Sequence, residues 1–261
     1  MALAALAGLN ELDQTWATLL QHRFGGSGAL AGHPVGNLIL TGLLEGGTDP
    51  VEALATVARL IGAVGRVLPM SPIPLDLVAD VDRLDPEEPE LTRLIRGQSS
   101  IAATLGRVQG VRLLPAGAPA CAAAVDAVRE ADAVVLGPGS WFSSVIPHLL
   151  LRELGQAIVS TPAAVVVTLN LVPQVGETEH LAAHELIEVL FSHAPGLRID
   201  AIVADETSVS DLAPLRRLAS RISARLVMSA LTGDGSRERH DPLRLSRALE
   251  AAFGWGGVRP R

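Results

Sequence analysis

The sequence predicts an α/β fold, with a mostly parallel sheet and helices on both faces. Three observations predict it. Short apolar runs alternate with helical patterns from about residue 107 onward, and that alternation builds parallel sheets through strand–helix–strand crossovers. The run at 163–169, AAVVVTL, is strongly apolar, as a strand central to a parallel sheet and buried on both faces is. The run at 133–136, AVVL, passes straight into Gly137-Pro138-Gly139-Ser140 and a second apolar segment. That is a buried strand, a tight turn and a helix start in succession.

Composition bounds the rest. The chain has 261 residues, 48% hydrophobic and 19% charged, enough for a sizeable core in one large or two small domains. No repeat, low-complexity tract or clean boundary divides it, so 1–261 reads as a single domain. The formal net charge of -7 argues against nucleic acid as the main partner. A phosphorylated small molecule stays open, because a few backbone amides and one Arg can hold a diphosphate locally. All 21 basic residues are Arg, and Tyr is absent. This removes a Lys Schiff base, a P-loop Lys and a Tyr acid–base from consideration. Cys121 is the only cysteine. It forms no intrachain disulfide, and no Cys/His cluster of zinc spacing surrounds it, so no metal is expected. The stretch MALAALAGLNELDQTW lacks the basic start of a signal peptide. No uninterrupted apolar run reaches the roughly 18 residues of a membrane span. A cytoplasmic protein without membrane insertion is the expectation.

Taken in order, 1–24 reads as one helix, with Leu3, Leu6, Leu9, Leu12, Trp16, Leu19 and Leu20 near helical spacing. A Gly-rich loop fills 25–32. In His33-Pro34-Val35-Gly36-Asn37, Pro34 sets the start of a second helix and Gly36 permits close packing. Asn37 is then either a local cap or an amide facing a pocket, and His33 reads as structural. Asp49 and Pro50 are a good N-cap and first helical residue for a helix over 51–64, ended by Gly65. Residues 67–70 read as a strand, 71–74 as a break, and 75–81 as a half-buried strand. The acidic run 82–90 reads as a solvated loop, because it lacks metal-ligand spacing. A strand follows over 107–114, then an Ala-rich helix over 119–130. Residues 152–156 lead into a short strand or helix end at 157–159. Helices are predicted at 180–191, 212–222 and 242–253, the last capped by Asp241, and strands at 199–204 and 224–228. The tail 254–261 reads as frayed.

In open α/β sheets, ligands sit at the carboxyl ends of strands. Two such ends carry polar residues. One is Gly137–Ser140, where glycines admit close approach, backbone N–H groups point outward and Ser140 can cap the helix, with Ser143 and Ser144 one turn on. The bland alternative is a tight turn without a ligand. The other is Asn170 with Gln174 and Gly176-Glu177-Thr178. Glu177 either accepts from a sugar hydroxyl or complements the following helix dipole. No G-x-S-x-G elbow, P-loop or G-x-G-x-x-G is present. His180 and His184 are spaced as a helix-surface pair, since HLAAH lacks the Glu of a zincin helix.

Four blocks carry a resemblance: GHPVGNLIL at 32–40, RVLPMS at 66–71, ADAVVLGPGSWFSSVIPHLL at 131–150 and NLVPQVGET at 170–178. In this order they resemble the YvcK/CofD-like family, and the GPGS-aromatic and Q-x-GET blocks are similar to its YvcK, or gluconeogenesis-factor, branch. The resemblance implies a Rossmann-like three-layer α/β/α fold. It implies a binder of UDP-sugars such as UDP-N-acetylglucosamine that regulates cell-wall synthesis and cell shape. No turnover is established for that branch, so it implies no catalytic residue and no cofactor. The alternative is the other branch, nucleotide-dependent phospholactate transferases of deazaflavin coenzyme synthesis. By motif, the candidate pocket residues are Gly36, Asn37, Gly137, Pro138, Gly139, Ser140, Ser144, Asn170, Gln174, Gly176, Glu177 and Thr178. A homodimer is left open.

Family members open with a strand and a GGGTGL-type loop, an Asp-Asp-Gly-Gly-Ser-Ser stretch and a Pro-Pro-Gly-Asp-Leu-Arg segment. None of these stands in this sequence. The expectation is an N-terminally truncated form of the fold, with Met1 inside the family's sequence. Such a form would have exposed apolar sheet edges, bind UDP-sugar weakly or not at all, and be prone to aggregate.

Overall fold

The computed structural model describes residues 2–233 and 238–254. The expectation of a frayed tail lies, past Gly254, outside the described residues. The chain divides into two compact units, Met1–Pro72 with Cys121–Ala124, and Ile73–Ala120 with Val125–Arg261.

The first unit is helical: α1 Ala2–Ala5, α2 Glu11–Gln21, α3 Val35–Glu45 and α4 Pro50–Leu60. The helix expected over 1–24 is broken between α1 and α2. Asn10 caps α2, its side chain accepting from Asp13 N at 2.9 Å, and Asp13 occupies the space that a side chain at Gly8 would need. Leu3 of α1 and Ala17 and Leu20 of α2 bury in one cluster with Val57 and Ile61, whereas Leu9, Leu12 and Leu19 are exposed, so periodicity alone hides the break. Asp49 caps α4 as expected, accepting from Val51 N at 2.9 Å and Glu52 N at 3.3 Å. That helix ends at Leu60, short of Gly65. Residues 67–70 form no strand. Val67 packs on the helical cluster and Met70 O accepts from Cys121 N at 2.9 Å, without a ladder.

The second unit holds two sheets. The parallel sheet has strand order β4-β5-β6-β7, built from β4 Ala133–Leu136, β5 Ala164–Thr168, β6 Ala201–Asp205 and β7 Arg225–Ser229. Each crossover advances by one strand. Right-handed crossovers therefore carry the intervening helices, α8 Arg152–Ser160, α9 Ala183–His193 and α10 Leu212–Arg221, along one face. The other face is covered by α11 Pro242–Phe253, whose Leu245, Ala248, Leu249, Ala252 and Phe253 pack on Val166, Ala201, Val203 and Val227. This is the α/β fold that the sequence predicts, with the apolar strand at 163–169 in the sheet interior. Residues 157–159 are the end of α8. Asp241 caps α11, accepting from Arg244 N at 2.9 Å.

The other sheet corrects one expectation. The strand at 107–114 forms with the predicted bounds, as β3 Arg107–Leu114, but it does not join the parallel sheet. It pairs antiparallel with β1 Asp76–Asp82, which also pairs antiparallel with β2 Arg93–Arg96. Its Arg107, Gln109 and Arg112 interleave with the buried Val108 and Val111, the one-sided pattern of antiparallel strands. On the polar face, Asp76 and Asp80 pair with Arg96 and Arg112. The acidic loop after β1 is solvated as expected, with Asp85 on Arg93 at 3.3 Å. The sequence reading assigned neither β2 nor α5 Gln98–Ala102. Two helices bracket the parallel sheet's first strand, α6 Ala122–Arg129 and α7 Ile146–Leu150. No described helix is long and apolar enough to cross a membrane.

Candidate functional site

The site forms where β4 and β5 end side by side. Paired in parallel register, they bring Gly137 next to Thr168. Gly137 has φ +79°, and a Cβ there would lie 2.6 Å from Thr168 O, so only glycine fits this close approach of the two strand ends. The Gly137–Pro138 peptide is cis.

The two strand ends then clasp. Gly139 N donates to Asn170 Oδ1 at 2.9 Å, and Asn170 Nδ2 donates to Gly139 O at 2.9 Å. One side-chain amide satisfies both backbone groups of Gly139. This also means that the Gly139 N–H, which the sequence offered to a phosphate, is already taken. Asn170 Nδ2 further approaches Gln174 Oε1 at 3.5 Å.

Ser140 turns the other way. It caps the segment as predicted, its Oγ accepting from Ser143 N at 3.3 Å. The helix that follows opens as a π-helical turn, Trp141–Val145, before α7. Such turns are rare and cluster at functional sites. Trp141 is buried, its Nε1 donating to Leu186 O at 3.0 Å. Ser144 flanks Gly139, and its carbonyl pairs with His148 Nδ1 at 2.8 Å. The Ser140 hydroxyl donates to the Glu177 carboxylate, 2.6 Å from Oε1 and 2.7 Å from Oε2. Glu177 is only 1% exposed. Because α9 begins at Ala183, this carboxylate is not in the helix's first turn, and the dipole reading of Glu177 drops out. Its partner is Ser140. Gly176 completes the support, with φ +77° and Thr104 O 1.6 Å from where a Cβ would stand. Thr178, also buried, accepts from Gln174 N at 2.9 Å.

The predicted residues thus fall in several places. Pro138, Gly139, Asn170 and Gln174 line an open cleft of about 570 Å³, with Leu171, Val172, Glu238 and His240. Ser140, Glu177 and Gly176 lie behind it as support. Thr178 and Asn170 line a smaller neighbouring cavity that reaches Asp205 and Ser208. Gly36 and Asn37 belong to the first unit, in the opening turn of α3, Gly36 buried and Asn37 exposed. The N-cap there is Pro34, so Asn37 is not a local cap.

Sequence reasoning missed Glu238, His240 and Asp205. Asp205 ends β6, so the strand-end rule that picked out Asn170 applies to it equally. Asp205 Oδ1 accepts from Thr207 N at 2.8 Å and Thr207 Oγ1 at 2.6 Å, and Oδ2 from Leu231 N at 2.7 Å. Burial pushes its carboxyl up, but these hydrogen bonds outweigh burial and hold it below the usual range. His240 was hidden beside Asp241, read only as a cap. Burial pushes its imidazole down, against a hydrogen bond to the Leu169 carbonyl and the nearby Asp205 charge. His180 is likewise lowered, by burial and then by Arg107. It precedes α9 and so does not share that helix with His184, contrary to the helix expected over 180–191. Among the described residues no cluster of three His, Cys, Asp or Glu could hold a metal.

Comparison with known proteins now decides the family. Residues 2–225 match the family described as 2-phospho-L-lactate transferase CofD. The chain belongs to the CofD family. Within it, the chain is 48% identical over 253 residues to a protein of Mycobacterium tuberculosis (strain CDC 1551 / Oshkosh) named "Putative gluconeogenesis factor", covering 96% of this chain and 73% of that one. It is 31% identical over 206 residues to the gluconeogenesis factor of Bacillus subtilis (strain 168), covering 79% of this chain and 62% of that one. A solved Bacillus halodurans protein of the UPF0052 family superposes with a TM-score of 0.79 at 25% identity, covering 95% of this chain and 80% of that one. The GPGS turn and Asn170, the first residue of the NLVPQVGET block, are thus the two strand ends that meet in the clasp, and Glu177 of the same block holds Ser140.

Proposed function

We propose that this chain is a nucleotide-sugar-binding protein of the gluconeogenesis-factor branch. It takes UDP-N-acetylglucosamine or a related nucleotide in the cleft at the ends of β4 and β5, and through that ligand it regulates cell-wall synthesis and cell shape from the cytoplasm. The observation that carries this reading is the Gly139–Asn170 clasp on an open cleft at the carboxyl ends of parallel strands, the place where α/β sheets take nucleotides. The clasp holds the wall rigid, so little ordering cost falls on the ligand. The amides of Asn170 and Gln174 offer donors and acceptors suited to sugar and base edges.

The relatives' names support a regulator rather than an enzyme. The family description supports the second reading, transfer of a phospholactate moiety from a nucleotide to a deazaflavin acceptor. Calorimetric titration with UDP-N-acetylglucosamine tests the first, with saturable binding expected. Incubation with a nucleotide-activated phospholactate and a deazaflavin acceptor tests the second. Product formation there would replace the binding-protein reading.

A further inference from the structure

One polar atom beside the cleft has no hydrogen-bond partner among the described residues. His240 lines the cleft with Pro138, Gly139, Asn170 and Gln174. Its ring donates a hydrogen bond to the Leu169 carbonyl. Its Nε2 is buried and has no hydrogen-bond partner among the described residues. A neutral imidazole carries a single N–H. With that hydrogen spent on Leu169, Nε2 is left as a bare acceptor.

The segment that carries the ring is fixed at several points. Asp205, at the end of β6, holds Leu231 N at 2.7 Å. Leu231 O accepts from Asp241 N at 2.8 Å, and His240 forms an antiparallel bridge with Thr232. Asp241 is locked in turn as the cap of α11. The ring is thus tied to the ends of β5, which forms one side of the cleft, and of its neighbour β6. Buried acceptors without partners are rare and costly in native proteins. A group so held at a cleft wall is satisfied when a donor arrives there.

We propose that His240 is a ligand-contacting, specificity-determining residue of this cleft, its Nε2 accepting a hydrogen bond from a hydroxyl or N–H of the nucleotide sugar. This rests on the reading that the cleft holds a nucleotide sugar. An acceptor in this position selects for a donor-bearing sugar or base edge and repels a phosphate or carboxylate oxygen. It therefore marks the sugar or base end of the cleft rather than its phosphate end. The lowered imidazole keeps the ring neutral at neutral pH, so the acceptor is present when the ligand meets it. Acid places a proton on Nε2 and turns the acceptor into a donor. Among the described residues, the charge acting on the ring is Asp205 from β6, and Glu238 lines the same cleft.

The test is calorimetric titration of the whole chain with UDP-N-acetylglucosamine, from about pH 8 to about pH 5 across the ordinary histidine range. Wild type, H240A, H240Q and E238Q are compared, and circular dichroism confirms that each is folded. The expected result is that wild-type affinity falls as pH is lowered. H240A binds about tenfold more weakly at the upper end, the effect of losing one hydrogen bond to a buried group. H240Q, whose Oε1 can still accept, recovers part of the affinity with a flat pH profile, and E238Q, whatever its absolute affinity as a cleft-lining variant, keeps the fall in acid. Should H240A fail to fold, the wild-type and E238Q profiles decide alone. Equal affinity of wild type and H240A, or wild-type affinity that rises in acid, would overturn the acceptor role while leaving the nucleotide-sugar reading in place. A flat wild-type profile, or an E238Q profile that goes flat, would overturn it too. Absence of wild-type binding at every pH would overturn the nucleotide-sugar reading itself, and this inference with it.

Discussion

Two hydrogen-bonded junctions leave the same Gly137–Ser140 turn in opposite directions. Asn170 clasps Gly139 on the open side, at the cleft. Glu177 holds Ser140 on the buried side. The chemistry is similar, polar side chains bridging two strand ends, but the environments differ. A hydrogen bond beside an open cleft can be exchanged for one to water or ligand, so its loss costs little stability and is felt in binding. A buried carboxylate held by one hydroxyl has no such substitute. Neighbouring positions in one turn can therefore differ in kind, one shaping a ligand wall and the next holding that wall up.

The sharpest way to break the buried junction is through Gly176. A Cβ there meets Thr104 O in a left-handed backbone position. We expect G176A to lose on the order of 3 kcal/mol or more of stability, read as a large fall in the denaturant midpoint. Removing the carboxylate itself ranks next. E177A leaves the Ser140 hydroxyl without its acceptor and opens a cavity, for about 2–3 kcal/mol. The folded fraction should keep its ligand affinity. An E177A protein of wild-type stability with abolished binding would erase the distinction between the two junctions.

The open junction should answer in the opposite sense. N170A removes both bonds to Gly139, and we expect about 1 kcal/mol of lost stability with a loss of UDP-N-acetylglucosamine affinity of about tenfold or more. The smallest effect is a pH dependence, read in acid. The Asp205 carboxyl lies below its ordinary value in the folded chain, so the unfolded chain binds the proton more readily. The stability this contributes is fully present above the unfolded value of about 3.9 and is lost as pH falls through the lower folded value. Acid unfolding of D205N should lack that component, because Asn does not titrate. An identical acid dependence in D205N would remove Asp205 from the account.

The sequence made legible what local chemistry controls. Asp49 and Asp241 cap their helices because a short acidic side chain before Pro can do little else so well. The run 163–169 lies inside the parallel sheet because all its side chains but the Thr168 hydroxyl are apolar. Both strand ends of the site were readable one at a time, from glycines and amides after apolar runs. Their joining through Asn170 was not, since that bond links residues 31 apart in sequence. The partner of β3 was missed for the same reason. Strand existence is written locally, but pairing depends on β1, and only the interleaved arginines hinted at an antiparallel, one-sided sheet. β2 escaped because RLIR is short and largely exposed. His240 escaped because its role depends on Leu169 and Asp205, which only the fold brings to it.

The central claim is that the clasp faces the ligand and the Glu177 junction does not. Titrating isotope-labelled protein with UDP-N-acetylglucosamine, and following backbone and side-chain amide resonances, tests it most directly. The account predicts that the Gly139 amide and the Asn170 side-chain amide shift saturably, while the Glu177 and Thr178 amides move little. Saturable shifts concentrated at Glu177 and Thr178, or no shift at Gly139 and Asn170 on saturation, would contradict it.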